Sequence, residues 1–338
     1  MKIKEKLFNK RKEILLLITV IFIFLFLCEL SLMVFPGILG PAVKNQFLTK
    51  YNTTEKGIYF TEENTGMRLM KPNFETTAYY NDYYWIHKTD SRGFRNNKEY
   101  QQADIILLGD SIIYGHGVNY EQTTGYFLEQ QTDFKAYNMA RQGDSAFEEK
   151  YLLKKYGKEL NPKYVFYFFF ENDITDLTIL LTPKEMEYFV FEQDLNDFSF
   201  TQSKKKQGIK EFLFNKLLEK SKIALALYTI FVMHNQNVVY PEKPDVNSLE
   251  WQYEEKAIKQ MKTFSDSINA EFIIVPLTKD EKQTQKLNEI AQQNQIPIIQ
   301  TKELMFNEQY RLKNDRHLNE EGHKKLSEIL TNYLNKKT

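Results

Sequence analysis

From residue 104 onward, short apolar runs alternate with longer segments of helical periodicity. Runs of this length and continuous apolar character are typical of parallel strands covered on both faces. The predicted strands are DIILLG, KAYNMA, KYVFYFFF, EFIIVPL and IPIIQT, and the predicted helices include GYFLEQQ, SAFEEKYLLKKYGKEL, LTKDEKQTQKLNEIAQQNQ and NEEGHKKLSEILTNYLNKK. This alternation predicts a three-layer α/β/α sandwich with a parallel sheet, whose functional residues lie at the carboxyl ends of the strands.

The N-terminal region carries a second strong signal. Residues 14–35 are almost wholly apolar, with Glu29 as the main interruption. At a rise of about 1.5 Å per residue, a helix of this length crosses a hydrocarbon core of about 30 Å. The residues before it include six basic side chains: Lys2, Lys4, Lys6, Lys10, Arg11 and Lys12. The positive-inside rule therefore predicts a cytoplasmic tail at 1–13, a transmembrane helix at 14–35 and an extracytoplasmic remainder.

A cleaved signal peptide is the alternative to this anchor. Signal peptides have apolar regions of about 7–15 residues that end in small residues. The run here is longer, and the nearest small-residue site, GILGP, is followed at once by Pro41. Cys28 has no small residues before it, which argues against lipoprotein processing. We expect a single-pass protein of the cell membrane.

Charge and cysteine content exclude several classes of protein. The 338 residues contain 45 basic and 45 acidic side chains, so the formal net charge is zero. A balanced charge gives no electrostatic reason to expect a nucleic-acid partner. The single cysteine, Cys28, excludes an intramolecular disulfide and a cysteine-based zinc cluster.

The remaining segments divide the chain further. Residues 36–102 form a lead-in, in which FETTAYYNDYYWIHKT predicts one or two strands and DSRGFRN a turn. The α/β domain is predicted at 103–338. The alternation stops over about 183–250, where FEQDLNDFSFTQSKKKQG predicts a loop and IKEFLFNKLLEKSKIALALYTIFVMHN a long amphipathic helix. This insertion is expected to pack on the core, to cover a cleft, or to face the membrane.

Two Gly-Asp-Ser triplets raise the question of a nucleophilic serine. Ser111 directly follows the strand DIILLG, where a sharp turn can present its hydroxyl to a cleft. Gly115 and Gly117 follow and allow close backbone approach. Ser145 instead has Glu148 three residues later, at the start of a predicted helix, which is the pattern of a capping box.

A serine needs a base to remove its proton, and the chain contains five histidines that could supply one. His317 lies in the loop before the last helix, with Asp315 two residues earlier, and a carboxylate there can orient and stabilise an imidazolium. The other four histidines have non-catalytic interpretations. His87 and His234 lack supporting residues, His116 lines the loop of Ser111, and His323 packs within a helix.

Ester chemistry also needs donors for the charge that develops on the carbonyl oxygen. Asn172 follows the third predicted strand and offers a side-chain amide, although a simple turn role explains it equally well. Gly143 follows the second strand, where its backbone N–H can be exposed.

Taken in order, the blocks GDSII, NMARQG, FFEND and DRHLNEEGH resemble the GDSL lipase/acylhydrolase family, also called SGNH hydrolases. The resemblance covers about residues 55–335. It extends to bacterial, membrane-anchored members through SRGFRN and GMRLMKPN. It implies a flavodoxin-like sandwich with Ser111 as nucleophile and His317 as base. It also implies an oxyanion hole made by the Ser111 N–H, the Gly143 N–H and the Asn172 amide.

Two positions depart from the family pattern. Phe170 stands where the third block commonly has glycine, which puts the shape of the substrate in doubt. The last block commonly reads Asp-x-x-His, which would place the acid at Asn314. Asn314 has no charge to stabilise an imidazolium, so the physical argument favours Asp315 as the acid.

The sequence therefore predicts a membrane-anchored serine esterase that works through an acyl-enzyme and requires no cofactor or metal. Its expected partners are the membrane, through residues 14–35, and an ester-bearing glycan or lipid substrate. One alternative is an O-acyltransferase acting on an extracytoplasmic glycan, in which a sugar hydroxyl replaces water. Another is a non-catalytic surface protein built on the same scaffold.

Overall fold

The computed structural model describes residues 2–48, 57–63, 67–191, 214, 216–218, 220–235, 244–313 and 315–337. The chain divides into two compact units, Met1–Thr49 with Ser203–Val239, and Lys50–Gln202 with Tyr240–Thr338. The domain boundaries expected from the sequence stay predictions.

Strands occur in the larger unit, within the part of the chain that the structure describes. They are β1 (Tyr59–Thr61), β2 (Arg68–Met70), β3 (Glu75–Tyr80), β4 (Tyr83–Lys88), β5 (Ile105–Leu108), β6 (Ala136–Asn138), β7 (Tyr164–Phe170) and β8 (Glu271–Leu277). Strands β5 to β8 form one parallel sheet in the order β6-β5-β7-β8. This is the winding order of flavodoxin-like folds, so the predicted fold class is confirmed.

The described helices are α1 (Lys2–Val34), α2 (Pro41–Leu48), α3 (Ser111–Tyr114), α4 (Thr124–Gln131), α5 (Ala146–Leu160), α6 (Asp173–Leu180), α7 (Pro183–Phe191), α8 (Lys222–Asn235), α9 (Leu249–Ser267), α10 (Glu281–Gln293), α11 (Lys302–Phe306) and α12 (Glu320–Leu334). Helices α1, α2 and α8 belong to the smaller unit. In the larger unit α4 packs against α12, and α5 against α9.

The prediction of a fifth strand at IPIIQT is wrong in length. Only Ile298 pairs with the sheet, through a single parallel bridge to Ile274. Pro297 has no N–H to donate, and α11 begins soon afterwards at Lys302, so the segment is too short for a regular ladder.

The sheet is the centre of a continuous apolar core. Every residue of β5 is buried, as are six of the seven residues of β7. The lead-in contributes to the same core through several buried side chains, among them Ile58, Leu69, Trp85 and Phe94. Residues 57–63 and 67–102 therefore fold as part of the α/β unit, because their apolar residues pack against the core of the sheet.

The predicted strands of the lead-in are confirmed as an antiparallel hairpin of β3 and β4. Its two turn residues, Asn81 and Asp82, have φ of 45° and 68°. Positive φ at both central residues is the requirement of the tight turns that match strand twist, and asparagine and aspartate tolerate it well.

The predicted DSRGFRN turn is also confirmed. Asp90 accepts hydrogen bonds from the backbone N–H groups of Arg92 (2.9 Å) and Phe94 (3.0 Å). Gly93 has φ of 86°, and a Cβ there would lie 2.4 Å from the Met70 carbonyl oxygen. Both the backbone angle and the close approach therefore require glycine at this position.

Arg95, from the same motif, is almost completely buried. Its guanidinium donates to the carbonyl oxygens of Tyr114 (3.0 Å), Gly115 (2.7 Å) and Val118 (2.7 Å), and to that of Ile86 (3.0 Å). Three of these carbonyls belong to the segment that follows Ser111. Arg95 thus joins the lead-in hairpin to the nucleophile loop.

We expect Arg95→Met to destabilise the α/β unit by about 3 kcal/mol, because it leaves several interior carbonyl groups without their charged donor. Denaturant unfolding of the full chain in detergent measures the change. Arg92→Met is the matched control: its Nη1 donates to the carbonyl of Tyr100 at 2.9 Å, so a loss of about 1 kcal/mol is expected. Equal stability of the two variants would contradict the role assigned to Arg95.

The predicted insertion does not behave as one element. Helix α7 belongs to the larger unit, whereas α8 belongs to the smaller one. The single long helix predicted over 209–235 is interrupted at Ser221, which is not helical. The loop predicted at 191–208 begins on Phe191, which instead ends α7. The rest of that loop and the first residues of the predicted helix lie outside the described residues.

Among the described residues, α1 is the helix that is long and apolar enough to cross a membrane, over Lys10–Val34. Most of its apolar side chains are exposed, whereas Leu32 is buried. A signal sequence would have the same appearance, and the orientation in a membrane stays a prediction.

Candidate active site

Ser111 lies at the carboxyl end of β5, where the sequence places it. It begins the short helix α3, and the preceding Asp110 caps this helix by accepting a hydrogen bond from the Ile112 N–H at 3.0 Å. Gly115 ends the helix with φ of 85°, in the left-handed region. The chain therefore makes a sharp strand-to-helix turn, and the hydroxyl of Ser111 stays partly exposed while its neighbours are buried.

His317 lies in a narrow loop between Arg311 and Leu318, which pair through an antiparallel bridge. The Leu312 N–H donates to the His317 carbonyl at 2.9 Å. This loop packs directly on the nucleophile loop: a Cβ at Gly117, where φ is 81°, would lie 2.3 Å from Leu312 Cδ1. Glycine at position 117 is what allows the two loops to approach so closely.

The fold brings Ser111, His317 and Asp315 into one hydrogen-bonded chain. The distance from His317 Nε2 to Ser111 Oγ is 2.7 Å, although 206 positions separate the two residues. His317 Nδ1 bonds to Asp315 Oδ1, and the same oxygen accepts the His317 backbone N–H at 2.9 Å. With Nδ1 donating to the carboxylate, Nε2 carries the lone pair and accepts the proton of the Ser111 hydroxyl.

The electrostatics of Asp315 match this arrangement. Burial by itself raises the pKa of the carboxyl group, and its side chain is only 5% exposed. The hydrogen bond from His317 and the charge of that ring outweigh burial, so the pKa of Asp315 lies below its ordinary value. Asp315 is therefore a carboxylate at neutral pH.

The backbone donors proposed for the oxyanion lie at neighbouring strand ends. Gly143 follows β6 and has φ of 69°. Within the described ranges, neither the Ser111 N–H nor the Gly143 N–H is bonded to a protein acceptor. The Arg68 guanidinium lies beside Gly143: its Nη2 donates to the Gln142 carbonyl at 3.2 Å and is 3.7 Å from the position of a Gly143 Cβ.

Asn172 follows β7 and is the residue that precedes α6. Its Nδ2 donates to Asp176 Oδ2 at 2.6 Å, and its side chain also hydrogen-bonds to the buried carboxylate of Asp110. Burial raises the pKa of Asp176 to about 6. The sequence analysis missed this partner, although the spacing of four residues in a helix start places the two side chains on one face.

His116 is a second residue whose position the sequence analysis did not anticipate. Its ring stacks on that of His317, with centroids 4.0 Å apart and planes inclined by 15°. His116 Nδ1 bonds to Gln142 Oε1 at 3.0 Å. Burial, followed by the charge of His317, lowers the pKa of His116 to about 3, so a neutral ring supports the histidine of the site.

The lead-in hairpin supports the same loop from another side. Asn81 Nδ2 donates to Asp315 Oδ2 at 3.3 Å, and the Tyr83 hydroxyl donates to the Lys313 carbonyl at 3.1 Å. Asp315 thus has a hydrogen bond on each carboxylate oxygen, which restricts the rotation of its side chain.

Comparison with protein families identifies the family to which this chain belongs. Residues 105–330 match the family model of the GDSL-like lipase/acylhydrolase. The chain belongs to this family. It is accordingly a hydrolase that acts on ester bonds.

Solved structures resemble the chain at low identity. The psychrotrophic esterase EstA from Pseudoalteromonas sp. is 11% identical, with 69% of this chain and 97% of that chain covered and a TM-score of 0.41. A GDSL-like lipase from Bacteroides thetaiotaomicron is 12% identical, with 69% and 88% covered and a TM-score of 0.40. Axe2, an acetylxylan esterase from Geobacillus stearothermophilus, is 12% identical, with 70% and 95% covered and a TM-score of 0.36. No curated protein matches the chain in sequence.

The second Gly-Asp-Ser triplet of this GDSL-type hydrolase is structural at its last two positions. Ser145 is fully buried, and its hydroxyl and N–H both bond to the Glu148 carboxylate, at 2.7 and 3.0 Å. The predicted capping box is therefore confirmed. Asp144 forms a buried ion pair with Arg141 at 2.7 Å.

His87 and His323 have hydrogen-bond partners outside the triad. His87 is buried and bonds to the Tyr114 hydroxyl at 2.6 Å, and His323 is buried in α12 against Thr124. The packing role predicted for His323 is thus confirmed. The side chain of His234 and the whole of Asn314 lie outside the described residues.

One group of side chains in the described part of the chain could also hold a metal ion. The ligand atoms of His116, Asp315 and His317 lie within 4.8 Å of one another. Both ring nitrogens of His317 are already engaged, however, by Ser111 and by Asp315. The arrangement of this hydrolase therefore fits proton transfer at a serine better than metal ligation.

Proposed function

We propose that this chain is a membrane-anchored serine esterase whose α/β unit acts outside the cytoplasm on an ester-bearing glycan or lipid. Ser111 is the nucleophile, His317 the general base and Asp315 the residue that orients it. The single observation that supports this most is the hydrogen-bonded chain from Ser111 Oγ through His317 to Asp315.

The acylation step follows from this geometry. His317 Nε2 takes the Ser111 proton as Oγ attacks the ester carbonyl, and the carbonyl oxygen becomes an oxyanion. The N–H groups of Ser111 and Gly143 and the side-chain amide of Asn172 donate to that oxygen, the amide turning from its carboxylate partners to do so. The imidazolium then protonates the leaving alcohol, which departs and leaves an acyl group on Ser111.

Deacylation repeats the sequence with water. His317 Nε2 removes a proton from a water molecule, whose oxygen attacks the acyl carbonyl. Collapse of the second tetrahedral intermediate breaks the bond to Ser111 Oγ, and His317 returns the proton to it. Asp315 keeps Nδ1 protonated throughout and offsets the charge of the imidazolium, while the neutral ring of His116 limits how far His317 can turn.

A fluorophosphonate probe tests the function directly, because only an activated serine reacts with it. We expect one equivalent of label on the full-length protein, located by mass spectrometry on the peptide that contains Ser111. Hydrolysis of p-nitrophenyl esters of increasing acyl length, assayed beside acetylated polysaccharides, then defines the substrate class. A folded protein that neither labels nor hydrolyses any of these esters would be a non-catalytic member of the family.

The topology gives a separate prediction. The six basic residues before residue 14 should hold the N-terminus in the cytoplasm and place the rest of the chain outside. An alkaline phosphatase fused after Thr338 should be active, and a cytoplasmic fluorescent reporter at the same place should be dark. A mature protein that begins near Pro41 would contradict the anchor, and the opposite reporter pattern would contradict the orientation.

A further inference from the structure

The smaller unit contains a carboxylate within an otherwise apolar helix. Glu29 lies in α1, inside the segment long enough to cross a membrane. It is 17 residues from Lys12 and five from Val34, which corresponds to about 25 Å and about 7.5 Å of helix rise. In the proposed orientation Glu29 therefore lies within the outer half of the hydrocarbon core. A charged group at this depth needs polar partners.

Its partners are the first residues of α8. The Glu29 carboxylate accepts hydrogen bonds from the backbone N–H groups of Lys222 and Ile223, the latter at 3.0 Å, and from the Ser221 hydroxyl at 3.0 Å. The first N–H groups of a helix have no partner within the helix and carry a partial positive charge. Glu29 thus accepts hydrogen bonds from the first N–H groups of α8, and these groups are the donors that the carboxylate needs.

The two faces of α8 differ in what they contact. Ala226 is buried in a small apolar cluster with Leu32 of α1 and Val43 of α2, and Ile223 packs against the same cluster. Residues at spacings of three and four positions share one face of a helix. This face therefore docks α8 on α1 and α2.

The part of the α8 surface beside this docking face is apolar and exposed. Leu227 is 63% exposed, Ile230 46% and Phe231 66%. Residues 223–233 carry no charged side chain. The Thr229 hydroxyl bonds to the Leu225 carbonyl at 2.8 Å, so it is already satisfied within the helix. Such a surface is costly to expose to water and suits the acyl chains of lipids.

We propose that α8 lies in the outer half of the bilayer, docked on the anchor through Glu29, with its exposed face in contact with lipid acyl chains. With 14 residues it is about 21 Å long, too short to cross a core of about 30 Å, so it does not add a second crossing of the membrane. The inference rests on the proposed membrane anchor and assigns the membrane as the partner of the insertion.

Nitroxide accessibility in liposomes of phosphatidylcholine and phosphatidylglycerol tests the placement. Single cysteines replace Leu227 and Phe231 in a Cys28→Ser background, and each cysteine is labelled with a nitroxide. The collision rate of each nitroxide is measured with oxygen, which concentrates in lipid, and with a water-soluble nickel complex. We expect the oxygen collision rate to exceed the nickel rate at both positions. Lys282→Cys, at an exposed position of the polar helix α10, is the aqueous control and should give the reverse order.

Each result has a distinct meaning. Nickel collisions that exceed oxygen collisions at positions 227 and 231 would place this face in water, and low rates for both reagents would place it against protein. Either result overturns the inference. Phe24→Cys, on an exposed residue of α1, reports the anchor itself. If position 24 contacts lipid while 227 and 231 do not, only the inference fails, and if position 24 also contacts water, the proposed anchor fails.

Glu29→Leu tests the docking contact. Without its acceptors the start of α8 loses its position, so the nitroxide at 227 should become more mobile in its spectrum. Glu29→Gln keeps one acceptor oxygen and should restore part of the immobilisation. Unchanged mobility in Glu29→Leu would overturn the docking role of Glu29.

Discussion

Ser111→Ala is expected to lower kcat for ester hydrolysis by about 10⁴- to 10⁶-fold, the range seen when the nucleophile of a catalytic triad is removed. The physical reason is that Ser111 Oγ is the atom bonded to His317 Nε2, at 2.7 Å. Without it no activated oxygen forms the acyl-enzyme. Stopped assays on the most reactive p-nitrophenyl ester measure the loss, and labelling by the fluorophosphonate should disappear in parallel.

Ser145→Ala is the matched control, because it removes the same hydroxyl from the second Gly-Asp-Ser triplet. Ser145 caps α5 and is fully buried, so the substitution should cost about 0.5–2 kcal/mol of stability and leave activity in place. Activity that survives Ser111→Ala and disappears with Ser145→Ala would reverse the assignment of the nucleophile.

Asp315→Asn is the second large effect, with an expected loss of about 10⁴-fold in kcat and little change in KM. An amide keeps the size of the side chain but removes the charge that stabilises the imidazolium and selects its tautomer. This expected loss in kcat is taken from a protease. Activated esters have better leaving groups, so they should show a smaller loss. Circular dichroism of the variant should match the parent, since the loop keeps its shape.

The pH dependence of this variant follows from the direction of the Asp315 pKa. Because the pKa is lowered in the folded protein, the parent keeps this charge, and the stability that it contributes, above the ordinary pKa of about 3.9. That stability is lost only as the pH falls through the lowered pKa. The fold-loss in kcat caused by Asp315→Asn should therefore be constant across neutral and mildly acidic pH.

Two controls separate the roles of neighbouring groups. Asn81→Ala removes the hydrogen bond to Asp315 Oδ2, and a decrease in kcat of about tenfold or less is expected. Asn314→Ala tests the spacing that is common in the family and should have a mild effect. If Asp315→Asn retains most of its activity, His317 works with Ser111 as a dyad, and Asp315 only shapes the loop.

The sheet and its strand ends could be predicted from the sequence because they depend on local, periodic burial. Strands β5, β7 and β8 are continuous apolar runs, and such runs are stable only when helices cover both faces. The placement of Ser111 and Asn172 after two of these strands follows from the same pattern. The capping role of Ser145 was predictable because a capping box needs only two residues three positions apart in the chain.

The surroundings of the site were decided by tertiary structure. Asn81 reaches Asp315 across 234 positions, and His116 stacks on His317 across 201. Arg95 bonds to carbonyl groups, which every residue possesses, so no side-chain pattern marks its partners. These contacts carry no periodic signal, and only the folded chain brings their partners together.

The insertion shows the same division. The sequence of residues 209–235 predicted an apolar helix, which was expected to pack on the core, to cover a cleft or to face the membrane. The break at Ser221 and the pairing of Glu29 with the start of α8 were not, because they depend on a contact across more than 190 positions. Local burial preference thus determined the elements and the order of the chemical groups along the chain. Long-range hydrogen bonds and packing decided which of those groups meet, because the energy of such a contact exists only when both partners have been brought to the same place.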